Sequence, residues 1–240
     1  MSRVALVTGA SRGIGRSVAV EAASRGYDVV VGYGSRSEEA QQVTSAVLGH
    51  GQRAIAVGAD LRTIDGVEYL AKAAQGFGPV ALLVNNAGVT NSCALADLTV
   101  SDWHDAIALN LTAPAWLAKL LAPALRSQRG AIVNVASSGG LIGSTHSLAY
   151  GSSKAGLLGL TKTLARMLAP DVTVNALCPG MAATELLDGI TPEQFQDILA
   201  GTPSGRIATP EEIAVAVLDV AAWKYCTGQS IVIDGGRVMH

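Results

Sequence analysis

Short runs of aliphatic and β-branched residues alternate along this chain with longer stretches in which apolar positions recur every three or four residues. The short runs read as strands buried on both faces, and the longer stretches as helices with one apolar stripe. Strands are expected over residues 4–8, 28–33, 54–59, 80–84, 131–136, 172–176 and 230–233. Helices are expected over 15–25, 38–49, 64–77, 100–126, 150–168, 192–199 and 210–222. The long helix over 100–126 is expected to bend or break at Pro114 and Pro123. Gly26 ends the first helix, Ser35 or Ser37 caps the second, and Thr209-Pro210-Glu211-Glu212 starts the last. No Pro/Gly/Ser-rich linker divides the chain. The alternation predicts one α/β domain over 1–240, a doubly wound parallel sheet of about seven strands with helices on both faces.

Composition fits that picture and narrows the function classes. The 240 residues are 49% hydrophobic but only 4% aromatic, with 27 glycines. Small side chains suit close helix–sheet packing and close approach of backbone to a ligand. A net charge of −2 points away from nucleic acid and from an anionic membrane surface. The apolar stretch 113–125 is interrupted by Pro114, Lys119 and Pro123, so no membrane span is expected. The first residues enter a strand directly without a signal-peptide layout, and a cytoplasmic location is expected. Cys93, Cys178 and Cys226 have no metal-like spacing and read as reduced thiols. His50, His104, His146 and His240 show no ligand spacing either, so no metal is expected.

Two segments carry chemistry. Gly9-Ala10-Ser11-Arg12-Gly13-Ile14-Gly15 follows the first strand and opens the first helix. Glycines there permit a tight turn, and the exposed N–H groups of the helix start can bind a phosphate. The end of the second strand reads Val31-Gly32-Tyr33-Gly34-Ser35-Arg36, with no acid to hold a ribose 2′-hydroxyl. Arg12, Ser35 and Arg36 can instead hold a 2′-phosphate, so NADP(H) is expected in preference to NAD(H). The second segment pairs Tyr150 with Lys154, four residues apart and on one helix face. A lysine ammonium beside a phenol favours the phenolate and would bring its pKa down from about 10. Isolated, such a pair is more often structural, and the surrounding motifs decide its meaning.

Those motifs agree in order and spacing over the whole chain, which resembles the short-chain dehydrogenase/reductase family. The matches are the glycine-rich turn, Asp60-Leu61, Asn85-Asn86-Ala87-Gly88, Asn110, Ser137, Tyr150 with Lys154, Pro179-Gly180 with Thr184, and Asp234-Gly235-Gly236. The resemblance implies a Rossmann-type fold and a catalytic set of Asn110, Ser137, Tyr150 and Lys154. Ser137 is selected over Ser138 because the family places its serine thirteen residues before the tyrosine. The resemblance also implies that Gly9, Ser11, Arg12, Gly13, Ile14, Gly15, Asp60, Leu61, Asn86, Ala87, Gly88, Tyr150, Lys154, Pro179, Gly180, Met181 and Thr184 contact the cofactor. Asn110 would bend its helix and hold a water near the lysine.

Within the family, the chain looks most like the 3-oxoacyl-[acyl-carrier-protein] reductases. That implies a carbonyl or alcohol substrate, carried on acyl carrier protein or CoA, and a homotetramer, with a dimer as the alternative. Two departures leave other readings open. The loop before the sixth strand is Ala169-Pro170-Asp171, where such reductases often carry a basic residue, although Arg126 and Arg129 stand nearby in sequence. The segment 181–206, expected to cover the substrate, is rich in small and polar residues and has one aromatic, Phe195. A reductase of another ketone, sugar or secondary alcohol is the alternative; a non-catalytic NADP(H) binder would not need Tyr150 and its partners.

Overall fold

A computed structural model describes residues 3–239 apart from 91, 146 and 185–190. Seven strands form one sheet: β1 (Arg3–Val7), β2 (Tyr27–Tyr33), β3 (Ala54–Gly58), β4 (Val80–Asn85), β5 (Ala131–Val135), β6 (Thr173–Pro179) and β7 (Ser230–Ile233). All pairings are parallel, in the order β3-β2-β1-β4-β5-β6-β7. Helices α1 (Gly13–Ser24), α2 (Ser37–Gly49), α3 (Ile64–Phe77), α4 (Val100–Ile107), α5 (Ala113–Ser127), α6 (Gly139–Ile142), α7 (Leu148–Leu168), α8 (Pro192–Ala200) and α9 (Pro210–Ala222) connect them.

The strands are continuous apolar runs because each sheet face is covered. In β1, Ala5 and Val7 join Val18, Ala22, Ile213 and Val217 on one side. Val4 and Leu6 join Leu70, Leu117 and Leu121 on the other. Period-two alternation thus divides one strand between two cores. The central strands also carry a buried polar rung. Asn85 donates to Asn134 at 2.8 Å, and Asn134 donates to Thr161 of α7 at 2.8 Å. This rung ties β4, β5 and α7 together next to the strand ends.

Strand order reverses between β1 and β4, and such a switch point opens a crevice at the carboxyl ends of the strands. Side chains of Thr63, Thr99, Ser147 and Thr209 cap α3, α4, α7 and α9. Helix α1 begins at Gly13 behind Arg12, with no side-chain cap and no acid in its own first turn, so its N-terminal N–H groups are left to face that crevice.

Several expectations need correction. Neither Ser35 nor Ser37 caps α2; Arg36 holds the cap position, and Ser37 is helical and accepts from the Tyr33 hydroxyl. Pro123 lies inside α5 without ending it. It is exposed, as is Lys119 four residues earlier, so the carbonyl it leaves without a donor can turn to water. The break falls instead at a π-helical turn, Ala108–Thr112. Pro114 explains it: the Asn110 carbonyl would take its helical hydrogen bond from residue 114, and proline has no N–H. By length and composition the run 100–127 would pass for a membrane span. Its Leu117, Leu121 and Leu125 are fully buried in the core, which makes it a core helix. His146, His240 and part of the segment 181–206 lie outside the described residues.

Candidate active site

Fourteen of the residues expected to hold a nucleotide line one cavity of about 560 Å³ beyond the ends of β1, β2, β3 and β4. They are Gly9, Ser11, Arg12, Gly13, Ile14, Gly15, Ser35, Arg36, Asp60, Leu61, Asn86, Ala87, Gly88 and Thr184. That volume suits a ligand of nucleotide size. The turn can exist only with glycines. Gly9 has φ +63°, and a Cβ on Gly15 would lie 2.2 Å from the Gly9 carbonyl oxygen. Asn86 locks the turn from β4, donating to the carbonyls of Thr8 at 2.9 Å and Gly9 at 3.1 Å. Thr8 returns the contact by accepting from the N–H groups of Asn86 and Ala87, each at 3.0 Å.

The cavity carries three arginines and one acid at its edge. Arg36 pairs with Glu39 at 3.4 Å. Arg62, which the sequence reading missed, grips Asp60 through Nε at 3.0 Å and Nη2 at 2.8 Å, and reaches Asp105 of α4 at 3.4 Å. The Arg62 guanidinium and backbone N–H hold the Asp60 carboxyl below its ordinary range. The signal was there in the two-residue spacing of Asp60 and Arg62. Pro179 and Gly180 end β6, where a Cβ on Gly180 would lie 2.7 Å from Asp234 Cβ. Met181 is not in this cavity; it lines a smaller one of about 140 Å³ with Arg206 and Asp234.

The four expected catalytic residues converge at the neighbouring strand ends. Ser137 follows β5 and interacts with the Tyr150 hydroxyl through a hydrogen bond. The Gly139 N–H donates to Ser137 Oγ at 3.0 Å, so the serine keeps its own proton to give. Lys154 is 4% exposed and donates from Nζ to the Val135 carbonyl at 2.7 Å. Gly88 stands between the two sites, since a Cβ there would lie 3.2 Å from Asn110 Oδ1 and 3.6 Å from Lys154 Nζ.

Asn110 is fully buried in the π-helical turn. Its side chain donates to the Val89 carbonyl at 3.0 Å and to Ser153 Oγ at 2.9 Å, and accepts from the Val89 N–H at 2.9 Å. Ser153 passes the connection to the Tyr150 carbonyl at 2.8 Å. Ser153 was invisible in the sequence as a functional residue, because a serine inside a helix carries no signal of what it touches.

The electrostatics differ from the expectation in one respect. Burial pushes the Tyr150 phenol above its ordinary value, with the Ser137 hydrogen bond acting against it. Burial also pushes Lys154 down to about 8. Lys154 is not among the groups that shift the phenol in this geometry; its Nζ donates to the Val135 carbonyl and lies 5.7 Å from the Tyr150 ring centroid. Cys178, beside this cluster at the end of β6, is raised by burial to about 11.

The model of the short chain dehydrogenase family matches residues 3–194. Among curated proteins, a Synechocystis 3-oxoacyl-[acyl-carrier-protein] reductase is 39% identical, covering 99% of this chain and 98% of its own. The Vibrio cholerae protein of that name is 37% identical over 99% of this chain and 98% of its own. Among solved structures, a mutant Serratia marcescens short-chain dehydrogenase/reductase superposes with TM-score 0.92 at 32% identity, covering 98% of this chain and 97% of its own. Acetoin dehydrogenase from Enterobacter cloacae gives 0.88 at 31% identity, covering 99% and 96%.

Proposed function

Because the chain belongs to the short-chain dehydrogenase family, we propose that this oxidoreductase is an NADPH-dependent reductase of 3-oxoacyl thioesters. The observation that carries the reading is the meeting of Ser137, Tyr150 and Lys154 at the strand ends beside the arginine-edged cavity. Full-length likeness to the 3-oxoacyl-[acyl-carrier-protein] reductases supports this substrate class. The cavity residues fit a dinucleotide: the start of α1, which has no side-chain cap, would hold the pyrophosphate, Asp60 the adenine, and Arg12 with Arg36 a 2′-phosphate. When bound, the nicotinamide supplies the hydride.

The protein's residues handle the substrate oxygen and its proton. Ser137 donates to the carbonyl oxygen and stabilises the charge that develops there. Tyr150 gives its phenolic proton to that oxygen as general acid, and takes it back in the reverse direction. With a nicotinamide cofactor bound, Lys154 would hydrogen-bond its ribose, and its ammonium beside the tyrosine would favour the phenolate. The Asn110 carbonyl, which in an α-helical register would face Pro114 and its missing N–H, would accept a relay water that reprotonates the lysine. The Asn110 side chain fixes that carbonyl by clamping Val89 and Ser153.

Arg129, in the turn before β5, has φ 45° and stands near Arg126, a basic edge for an acidic carrier. Against this, Arg126 Nε lies 4.0 Å from Asp171, and its Nη2 donates to the Met167 carbonyl at 2.8 Å. These contacts, with the likeness to acetoin dehydrogenase, favour a free small ketone as the second reading. NADPH oxidation with acetoacetyl thioesters of carrier protein and CoA, diketones and ketoses decides between them. The thioester reading requires a thioester to give the highest kcat/KM. We also infer a cytoplasmic homotetramer; light scattering near four times 24.4 kDa tests the assembly.

A further inference from the structure

Three glycines follow Ser137 closely, and they have different reasons to be glycine. Gly143 has φ +87°, a turn conformation that side chains rarely adopt. Gly140 has no room: a Cβ would lie 2.9 Å from the Lys154 carbonyl carbon and 3.1 Å from the Ala155 nitrogen. It lets α6 lie directly on the backbone of α7. Gly139 has neither constraint. It is the first residue of α6, has no positive φ, and among the described residues the nearest atoms to a Cβ stand at ordinary contact distances. Those contacts are Ser137 Oγ at 3.4 Å, Ser144 Cβ at 3.9 Å and the Tyr150 ring edge, Cε1, at 3.9 Å. The side chain missing at Gly139 therefore points at the two groups that hold the substrate oxygen.

We propose that Gly139 determines specificity: its missing side chain leaves room beside the reacting carbonyl for a substituent on the adjacent carbon. The substrate class is then extended from linear 3-oxo compounds to those branched next to the carbonyl, such as 2-methyl-3-oxoacyl thioesters. The inference rests on the reading that Ser137 and Tyr150 bind the carbonyl oxygen. An oxygen bonded to both hydroxyls puts its carbon, and the carbons flanking it, within a methyl's reach of the Gly139 position. Refilling it costs a substrate whatever group it placed there, and one methylene of misfit in a pocket changes kcat/KM by roughly 10–200-fold.

The test uses wild type, Gly139→Ala and Gly139→Val with saturating NADPH. One substrate pair is the acetoacetyl and 2-methylacetoacetyl thioesters of N-acetylcysteamine; the other is pentane-2,4-dione and 3-methylpentane-2,4-dione. Wild type is expected to reduce the branched member of a pair within about tenfold of the linear one. Gly139→Val should lose at least about tenfold on the branched member while the linear one stays within about threefold, with Gly139→Ala between. NADPH affinity, read by fluorescence, should not change. Equal loss on both members, no loss on either, or a wild type that rejects branched substrates overturns the inference. Alanine fits at ordinary contact distances, so that variant keeps the test open if valine prevents folding. Failure of both thioesters in wild type refutes the thioester reading alone, because the diketone pair still reports on Gly139.

Discussion

Lys154→Met separates what the buried lysine costs the fold from what it does in the reaction. Lys154 is 4% exposed, and burial lowers its pKa from 10.5 to about 8. At about 1.4 kcal/mol per pH unit, that shift costs the folded state roughly 3 kcal/mol at neutral pH. The sign follows from proton counts. Below pH 8 both states carry the proton and the full cost is present. As pH rises from about 8 to 10.5, the folded protein gives up the proton while the unfolded chain keeps it, so stability increases. Methionine has similar length and no charge, but it forfeits the 2.7 Å hydrogen bond to Val135, worth about 1–2 kcal/mol. The variant should therefore be about 1–2 kcal/mol more stable than wild type at pH 7. Near pH 10.5 it should be equal or less stable. Tyr150 and Cys178, both raised by burial, titrate in the same range; the Lys154 charge holds Cys178 down, so removing it raises that thiol further and acts in the direction of the crossover. Urea denaturation at pH 7 and pH 10, both proteins in parallel, measures the crossover. Turnover should fall at least about 100-fold. A variant that is less stable by the same amount at both pH values refutes the argument that this lysine is held at the fold's expense.

Three further outcomes test the other parts of the site. Arg36→Ala should raise the KM for NADPH by roughly tenfold and leave that for NADH nearly unchanged, because Arg36 is placed to take the 2′-phosphate; equal effects on both cofactors would count against it. Pro114→Ala restores an N–H opposite the Asn110 carbonyl, so kcat should fall by about tenfold with cofactor KM unchanged, and an unaltered kcat would remove the carbonyl from the relay. Ser153→Ala leaves one Asn110 amide hydrogen without its acceptor, which should lower kcat by about threefold to thirtyfold without changing NADPH affinity, and Ser153→Thr should recover part of the loss.

The sheet was legible because both its faces are covered. Runs such as 4–7 and 80–84 have no polar position to confuse with a loop, and glycine or proline stands close to their ends. The candidate set of Asn110, Ser137, Tyr150 and Lys154 came from the family's spacing, and the fold brings these four residues to neighbouring strand ends. What stayed hidden depends on contacts between distant segments. Four residues of Gly-Gly-Leu-Ile are too few to show a helical period, yet Gly140 packing on Lys154 makes them helical. The π-helical turn is set by Pro114 acting on Asn110, so proline marked the disturbance but not its position. The pairing of Arg62 with Asp60 was legible in their spacing, but its second contact, to Asp105 of α4, was not. Burial reversed the expected direction at Tyr150, because the lysine that should have favoured the phenolate is bound to a strand carbonyl instead.

Tyr150→Phe removes one oxygen and tests the central claim most directly. NADPH should bind as it does to wild type, by fluorescence titration, because the nucleotide cavity does not depend on the hydroxyl. In the same samples, single-turnover NADPH oxidation with acetoacetyl thioester should slow by about 100-fold or more, the contribution of a lost general acid. Hydride transfer at the wild-type rate in that variant would contradict the account.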